Sequence, residues 1–259
     1  MPKQLRKPGE FCWINILTPQ TAAARDFFGT LLGWSFSDMG GMGSLIQVNG
    51  SDVGGLFDVV SPRTPQGTPP VVGVMVKVEN ADATVERVKA LGGQAQPAFD
   101  IMDRGRMAVC HDPNGANFDI WEAKTSLGTD VDATVHGAPS WFENLTTDAA
   151  RGSKFYADLF GWQPQAMPMG DFTYTAFNGP SGPVAGLMPI QEFMGPMPPN
   201  WGTYFTVDNV DDTLAKAEKL GGTIAIPAQD IPNIGRFGGI VSPQGVMFSV
   251  IAYLPQTAQ

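Results

Sequence analysis

The two histidines are the first residues to weigh for chemistry, because imidazole is the commonest metal ligand and a frequent proton carrier. A non-haem iron site of the two-histidine kind would need both, brought together with a carboxylate. His111 abuts an Asp-Pro turn, and His136 lies in a polar segment that we interpret as a linker. Neither is placed to face a binding cavity. We therefore predict no cofactor, with a divalent metal as the alternative if its ligands lie elsewhere in the chain.

The two cysteines, Cys12 and Cys110, are too few for a disulfide framework or a four-cysteine metal site. Reduced thiols are typical of a reducing compartment, so we predict a cytoplasmic protein. Cys110 adjoins His111, but adjacent residues of a strand point to opposite faces. This argues against a thiol–imidazole dyad.

Two arginines, Arg106 and Arg236, fall at matched places, each shortly after an aspartate. A planar guanidinium suits a carboxylate or phosphate on a ligand. The alternative, which we favour, is a pair of loop-bracing ion pairs with Asp100 and Asp230. Both arginines stay candidate ligand-binding residues.

Charge limits the partners of this chain. With 16 Lys and Arg against 25 Asp and Glu, its net charge is −9, which opposes binding to nucleic acid or to anionic lipid. No stretch approaches the ~18 apolar residues of a membrane helix. We expect a small-molecule ligand, no nucleic acid and no membrane. A monomer or a homodimer is expected, since an internal duplication can replace a dimer.

The elements that must position these residues are written twice. The string FFGTLLGW at residues 27–34 returns as FYADLFGW at residues 155–162, and Trp13 matches Trp141 at the same offset. A repeat of this length indicates two similar domains. We predict a first domain over 1–125, a linker over about 126–136, and a second domain over 137–259.

Each half reads as strand, helix, three strands, and then the same order again. FCWINI and its counterpart SWFENL alternate as strands. Thr18-Pro19 predicts a helix start, and an apolar stripe ends at Gly33. The pattern restarts with the strand VVGVMVKVEN, the helix ADATVERVKALGG and two strands around the turn DPNG. The prediction is an α+β fold made as a tandem duplication.

Short motifs mark these modules: helices ending in L(L/F)GW, helices ending in ALGG and KLGG, and the turns DPNG (112–115) and SPQG (242–245). Together they resemble the vicinal oxygen chelate superfamily, which contains glyoxalase I, bleomycin resistance proteins, extradiol dioxygenases and fosfomycin resistance enzymes. The strings PAFDIMDRGRM and PAQDIPNIGRF are most similar to two-domain, glyoxalase-like proteins of actinobacteria. The resemblance implies four βαβββ modules that form curved, cup-shaped mixed sheets.

The resemblance also implies where a metal would bind, since catalytic members hold a divalent ion on the concave face with His and carboxylate ligands. The matching positions are Trp13, Gly54 or Gly55, Gly73 and Asp119 in the first half, and Trp141, Gly186 or a neighbour, Gly202 and Ser249 in the second. Tryptophan, glycine and serine do not replace these ligands, and only Asp119 could. The mapping argues against glyoxalase I or extradiol dioxygenase activity.

The remaining candidates line the cups. If Trp13 faces the cup, strand alternation sends Phe11 and Asn15 the same way, and in the second half Trp141 and Glu143 do so. Each tryptophan either forms a stacking wall for a flat ligand or fills an emptied cavity. The candidate ligand-binding residues are Trp13, Asn15, Trp141, Glu143, Asp119, Ser249, Arg106 and Arg236.

Three functions are open at this point. The favoured one is a metal-independent protein that binds a small organic metabolite or toxic compound, by analogy with bleomycin resistance proteins. The second is a lyase, isomerase or hydroxylase/dioxygenase, either metal-dependent or using Glu143 or Asp119 as a general base. The third is an interaction or structural protein with collapsed cups.

Overall fold

The computed structural model describes residues 5–60 and 67–255. The first half contains β1 (Phe11–Thr18), α1 (Thr21–Leu32), β2 (Ser35–Asp38), β3 (Ser44–Val48), β4 (Ser51–Asp58), β5 (Val71–Val78), α2 (Ala81–Ala90), β6 (Gln94–Ala95), β7 (Phe99–Ile101), β8 (Gly105–His111) and β9 (Asn117–Ala123). None of the helices within the described ranges is long and apolar enough to cross a membrane.

The second half repeats this order. It contains β10 (Pro139–Thr146), α3 (Ala149–Phe160), β11 (Gln163–Met169), β12 (Phe172–Gly179), β13 (Gly182–Pro189), a 3-10 turn (Glu192–Met194), β14 (Asn200–Thr206), α4 (Val210–Lys219), β15 (Thr223–Ile231), β16 (Gly235–Val241) and β17 (Met247–Tyr253). The predicted α+β fold with duplicated βαβββ modules is confirmed.

Each half forms its own mixed sheet. The first has the order β2-β3-β4-β1-β5-β9-β8-β6, with β7 added to β8, and the second has the order β11-β12-β13-β10-β14-β17-β16-β15. The first module therefore pairs with the second, and the third with the fourth. The sequence left this pairing open. The observed pairing places Trp13 in one sheet with Asp119 rather than with Ser249.

The two sheets pack together through the faces that carry the helices. Phe11 of β1 stacks on Phe142 of β10 with ring centroids 4.0 Å apart. The prediction that Phe11 faces the cup with Trp13 is wrong, because the strand register shifts between these two residues and turns Phe11 into the core. Helix α1 reaches across to β17 through Phe28 and Phe248, whose ring centroids are 5.3 Å apart. One buried apolar cluster runs through both halves. The opposite, helix-free faces point outward, and we call them the first cup, around Asn15, and the second cup, around Glu143.

The tryptophans of the repeated Gly-Trp motif join the halves. Trp34 donates a hydrogen bond to the carbonyl of Gly137 at 2.8 Å, and Trp162 donates to the carbonyl of Gly9 at 2.7 Å. Each indole thus fixes the chain just before the first strand of the other half. Both are buried, with 4% and 1% of their surface exposed. The repeated Gly-Trp motif therefore forms two reciprocal hydrogen bonds that link the two halves.

The predicted start of the first helix lies too early in the sequence, because the capping position is Gln20 and not Thr18. Helix α1 begins at Thr21, after Gln20, and no side chain caps it. Thr18 instead ends β1 as a fully buried residue, and its hydroxyl accepts a hydrogen bond from the backbone N–H of Gln20. The hydrogen bond to Thr18 therefore belongs to the turn that follows the strand and does not cap the helix.

Asn144 of β10 is fully buried, and within the described residues neither polar atom of its amide has a hydrogen-bond partner. The repeat aligns it with Ile16, which is equally buried. Replacing Asn144 with isoleucine is expected to stabilise the protein by about 1–3 kcal/mol, because an unpaired buried amide costs that much. Urea denaturation measures this, with Ile16→Val as a control for generic sensitivity of the position. A less stable Asn144→Ile variant would contradict the expectation.

Candidate functional site

Glu143 lies in the second cup, and glycines flank it on both neighbouring strands. In the sheet register it lies between Gly186 of β13 and Gly202 of β14. Neither neighbour carries a side chain, so the space beside the carboxylate can be taken by side chains from other strands. A Cβ at Gly186 would overlap the hydroxyl of Tyr174, which occupies this space from β12.

Two tyrosines hold the Glu143 carboxylate. Tyr204 donates a hydrogen bond to Glu143 Oε2 at 2.8 Å, and Tyr174 hydrogen-bonds to the same carboxylate. The indole of Trp141 donates to the Tyr174 hydroxyl at 3.1 Å, and Ser249 hydrogen-bonds to Tyr204. The result is a connected polar network on one sheet face, enclosed by aromatic rings.

Burial sets the charge states in this network. It raises the pKa of Glu143, and the hydrogen bonds from Tyr204 and Tyr174 lower that pKa by a smaller amount. Burial and the nearby Glu143 charge raise the pKa of both tyrosines above the usual value. Both phenols therefore stay neutral hydrogen-bond donors throughout the physiological pH range.

The rim of the second cup is also aromatic. The ring of Phe237 lies 5.9 Å from that of Tyr204, between centroids. Tyr253 is 40% exposed and donates a hydrogen bond to Ser140 at 3.1 Å. A planar or apolar ligand body would find ring surface on this side of the cup.

The first cup carries its carboxylate at a different position. Asn15 occupies the place of Glu143, and Asp119 occupies the place of Ser249. The Asn15 side chain hydrogen-bonds to Asp119. Burial raises the pKa of Asp119 to about 7, against the smaller opposing effect of that hydrogen bond.

Apolar side chains fill much of the first cup. Trp13 packs against a buried cluster of Cys12, Met75 and Trp121, with Met107 beside it. In this half the tryptophan thus lies among apolar side chains. In the second half Trp141 instead joins the hydrogen-bond network around Glu143.

The segment that follows the first sheet crosses the end of this cup. Trp121 donates its indole hydrogen bond to the carbonyl of Ser126 at 2.9 Å, and the backbone N–H of Thr129 donates to the carbonyl of Cys12 at 2.9 Å. Cys12 is fully buried, and burial raises its pKa to about 12, so its thiol stays protonated and unreactive.

Both candidate arginines lie outside the cups. Arg106 forms two hydrogen bonds to Asp82, at 2.9 and 2.8 Å, and lies 3.5 Å from Asp100. Its neighbour Met107 faces the first cup, so strand alternation turns Arg106 to the helix side.

Arg236 repeats this arrangement in the second half. It forms two hydrogen bonds to Asp211 and a third to Asp230, all at 2.8–2.9 Å. Sequence reasoning named Asp100 and Asp230 as partners, but it missed Asp82 and Asp211 on the first turns of α2 and α4.

Sequence reasoning also missed the two tyrosines that hold Glu143. A signal was present, because all four tyrosines of the chain lie in the second half. Three of them, Tyr174, Tyr204 and Tyr253, belong to the second cup, and Tyr156 lies in the core. Counting tyrosines by half would have indicated that the two cups differ in chemistry.

The residues present do not fit the metal site of the family pattern. Around Asn15 and Glu143 the neighbouring strands supply glycines, which have no ligand atoms on a side chain. Within residues 5–60 and 67–255, no three His, Cys, Asp or Glu side chains come together as a metal site. His136 instead lies 3.1 Å from Asp208, away from both cups.

Comparison with known proteins places these cups in context. Residues 13–121 match the family model described as "Glyoxalase-like domain", and residues 140–250 match "Glyoxalase/Bleomycin resistance protein/Dioxygenase superfamily". "Putative glyoxylase CFP32" of Mycobacterium tuberculosis is 35% identical over 99% of this chain and 100% of its own length. "Anthracycline biosynthesis protein DauV" of Streptomyces sp. is 30% identical over 94% of this chain and 93% of its own length.

Solved structures share the fold at low identity. The Mn(II)-bound glyoxalase from Novosphingobium aromaticivorans superposes with a TM-score of 0.66 at 16% identity, over 95% of this chain and 82% of that one. The 2,2',3-trihydroxybiphenyl 1,2-dioxygenase from Sphingomonas wittichii gives 0.66 at 13% identity, over 96% and 91% of the two chains. At these identities the likeness concerns the architecture only.

Proposed function

Because the chain belongs to the glyoxalase/bleomycin resistance protein/dioxygenase superfamily, we propose that it binds a small organic metabolite or toxic compound in the second cup, without a metal ion. The observation that carries this proposal is the Glu143 carboxylate, held by Tyr174 and Tyr204 between the glycines of two neighbouring strands. Few, well-placed polar groups among aromatic walls are typical of small-molecule sites.

Several features support the second cup over the first. Its polar atoms form a network that orients one carboxylate, whereas apolar side chains pack the first cup around Trp13. The names of the Streptomyces relatives, which are anthracycline biosynthesis proteins, support a ligand from small-molecule metabolism. The ligand would rest its body on the rings and direct a hydrogen-bonding group to Glu143.

The matched tryptophans provide the test. A panel of small aromatic metabolites is screened by thermal shift, and hits are titrated against Trp141→Ala and Trp13→Ala. We expect Trp141→Ala to weaken binding by about ten-fold or more, because a stacking and hydrogen-bonding wall is lost, and Trp13→Ala to change it less than about two-fold. A hit that only Trp13→Ala abolishes would move the site to the first cup and contradict the proposal.

A second candidate function is proton-transfer catalysis, and the pKa of Asp119 favours it. A carboxyl group with a pKa of about 7 suits a general base near neutral pH. Asp119 in the first cup and Glu143 in the second are the candidate catalytic residues. NMR of each hit incubated with protein distinguishes the two functions, since a new product signal indicates turnover and an unchanged spectrum indicates binding alone.

A further inference from the structure

Glu143 has no counter-ion among the residues that the structure describes. Within the described residues, no Lys, Arg or His forms an ion pair with it, and the groups that shift its pKa are its own burial and the two tyrosines. Arg236, the arginine of this half that the sequence analysis named as a candidate ligand-binding residue, is paired with Asp211 and Asp230. A desolvated carboxylate without a positive partner is costly, and a cation that reaches it recovers part of that cost.

We propose that the second cup takes an organic cation, a molecule that carries an ammonium group on a planar or apolar body. This inference rests on the proposed function and names the ligand class of the same site. The ammonium group would donate hydrogen bonds to Glu143 beside Tyr174 and Tyr204. The body would lie on the aromatic walls around Trp141 and Phe237.

The aromatic surroundings reinforce the choice of a cation. Rings of tyrosine and tryptophan attract a cation to their faces, and the attraction is strongest where water is excluded. Trp141, Tyr174, Tyr204 and Phe237 belong to one connected group in this cup. The chain's net charge of −9 adds a general attraction for positive ligands.

Other ligand charges fit less well. An anion would meet the Glu143 carboxylate with no basic side chain of the described chain to receive it. A neutral molecule would leave the carboxylate without a counter-charge.

Binding of a cation should depend on pH in one direction. The groups facing Glu143 are Tyr174 from β12, Tyr204 from β14, and Trp141 and Ser249 from β10 and β17. The two tyrosines stay neutral, because their pKa values are raised, so Glu143 is the titrating group of the cup. Its raised pKa means that cation affinity increases as pH rises through that pKa and the carboxylate becomes charged.

A charge series of small probes tests the inference on the full chain. Benzylamine, benzyl alcohol and benzoate share one ring and differ in charge, and their affinities are measured by ligand-detected NMR at pH 7.5. We expect benzylamine to bind about ten-fold or more tightly than benzyl alcohol, and benzoate to bind weakest. Glu143→Gln should remove the preference for benzylamine while keeping benzyl alcohol. Glu86→Gln, the same change at an exposed carboxylate of α2 outside both cups, should leave the preference intact.

Two outcomes would overturn the inference. One is a benzylamine affinity no greater than that of benzyl alcohol, which includes no detectable binding. The other is a benzylamine preference that survives in Glu143→Gln or disappears in Glu86→Gln. The proposed function is judged separately, since a neutral or anionic metabolite that Trp141→Ala abolishes would keep the second cup as the site and reject only the cation.

Discussion

Replacing Asp112 with alanine is expected to destabilise the protein by about 3–5 kcal/mol, because it leaves several buried donors unsatisfied at about 1–3 kcal/mol each. Asp112 is only 2% exposed. Its Oδ1 accepts hydrogen bonds from the backbone N–H groups of residues 114, 115 and 116, at 2.8–3.0 Å. Its Oδ2 accepts a hydrogen bond from the hydroxyl of Tyr156 at 2.9 Å.

This aspartate ties the two halves together. Tyr156 belongs to α3 in the second half, whereas Asp112 begins the DPNG turn of the first. The Tyr156 hydroxyl also accepts a hydrogen bond from the indole of Trp201 at 2.9 Å. Removing that hydroxyl with Tyr156→Phe therefore leaves Oδ2 of Asp112 and the indole N–H of Trp201 each without this hydrogen-bond partner. We expect the free energy of unfolding to fall by about 1–3 kcal/mol.

The duplication supplies matched controls for this network. Ser242 takes the place of Asp112 in the second half, and its hydroxyl accepts the backbone N–H groups of Gln244 and Val246. Asp112→Ser should thus keep part of the turn bonding and cost less than Asp112→Ala. Phe28 stands in the place of Tyr156, which indicates that phenylalanine fits such a helix position.

Urea denaturation at pH 7 measures all of these variants, and a double-mutant cycle of Asp112→Ser with Tyr156→Phe isolates their coupling. We expect the double variant to lose less unfolding free energy than the sum of the losses in the two single variants. Strict additivity, or an Asp112→Ala variant within about 1 kcal/mol of the parent protein, would show that the contact does not hold the halves together.

How much was predictable from sequence depends on whether the determining contacts are local. The helix stop at Gly33 and the strand alternation around Trp13 are local patterns, and the α+β duplication that follows from them is confirmed. The burial of Trp34 and Trp162 agrees with their place at the end of an apolar helix face. Such features repeat with the chain and need no knowledge of distant partners.

The chemistry of the second cup depends on contacts between distant residues. Tyr174 reaches Glu143 only because β12 lies two strands away and Gly186 leaves room between them. Arg106 forms its hydrogen bonds with Asp82 on a helix, whereas Asp100, which is nearer in sequence, lies 3.5 Å away. Strand order and side-chain reach decide these pairings, and neither is written in local periodicity.

Asp119→Asn is expected to stabilise the protein at alkaline pH and to have little effect at acid pH. The folded protein raises the pKa of Asp119 to about 7, whereas an unfolded chain has a pKa near about 4. At about 1.4 kcal/mol per pKa unit, keeping the ionised carboxylate in the first cup costs up to about 4 kcal/mol. Asparagine has no charge to desolvate and preserves the side-chain shape beside Asn15.

The sign follows from proton linkage. Below about pH 4, Asp119 is protonated in both folded and unfolded chains, so it adds no penalty. Between about pH 4 and 7 the folded protein keeps the proton that the unfolded chain releases, so this contribution to stability falls as pH rises. Above pH 7 the full penalty is present, and the gain from Asp119→Asn should reach its plateau there.

Urea denaturation of the parent protein and of Asp119→Asn from pH 4.5 to 9 tests this dependence. Asp82→Asn is a control of opposite sign, because its hydrogen bonds to Arg106 hold the pKa of Asp82 below its usual value. Relative to the parent, that variant should be less stable by an amount that stays nearly constant over this pH range, since Asp82 is ionised in both the folded and the unfolded chain above about pH 4. A stability difference between Asp119→Asn and the parent that does not change with pH would mean that Asp119 is ordinarily solvated. The first cup would then have no desolvated carboxyl group to act as a base near neutral pH, and the second candidate function would depend on Glu143 alone.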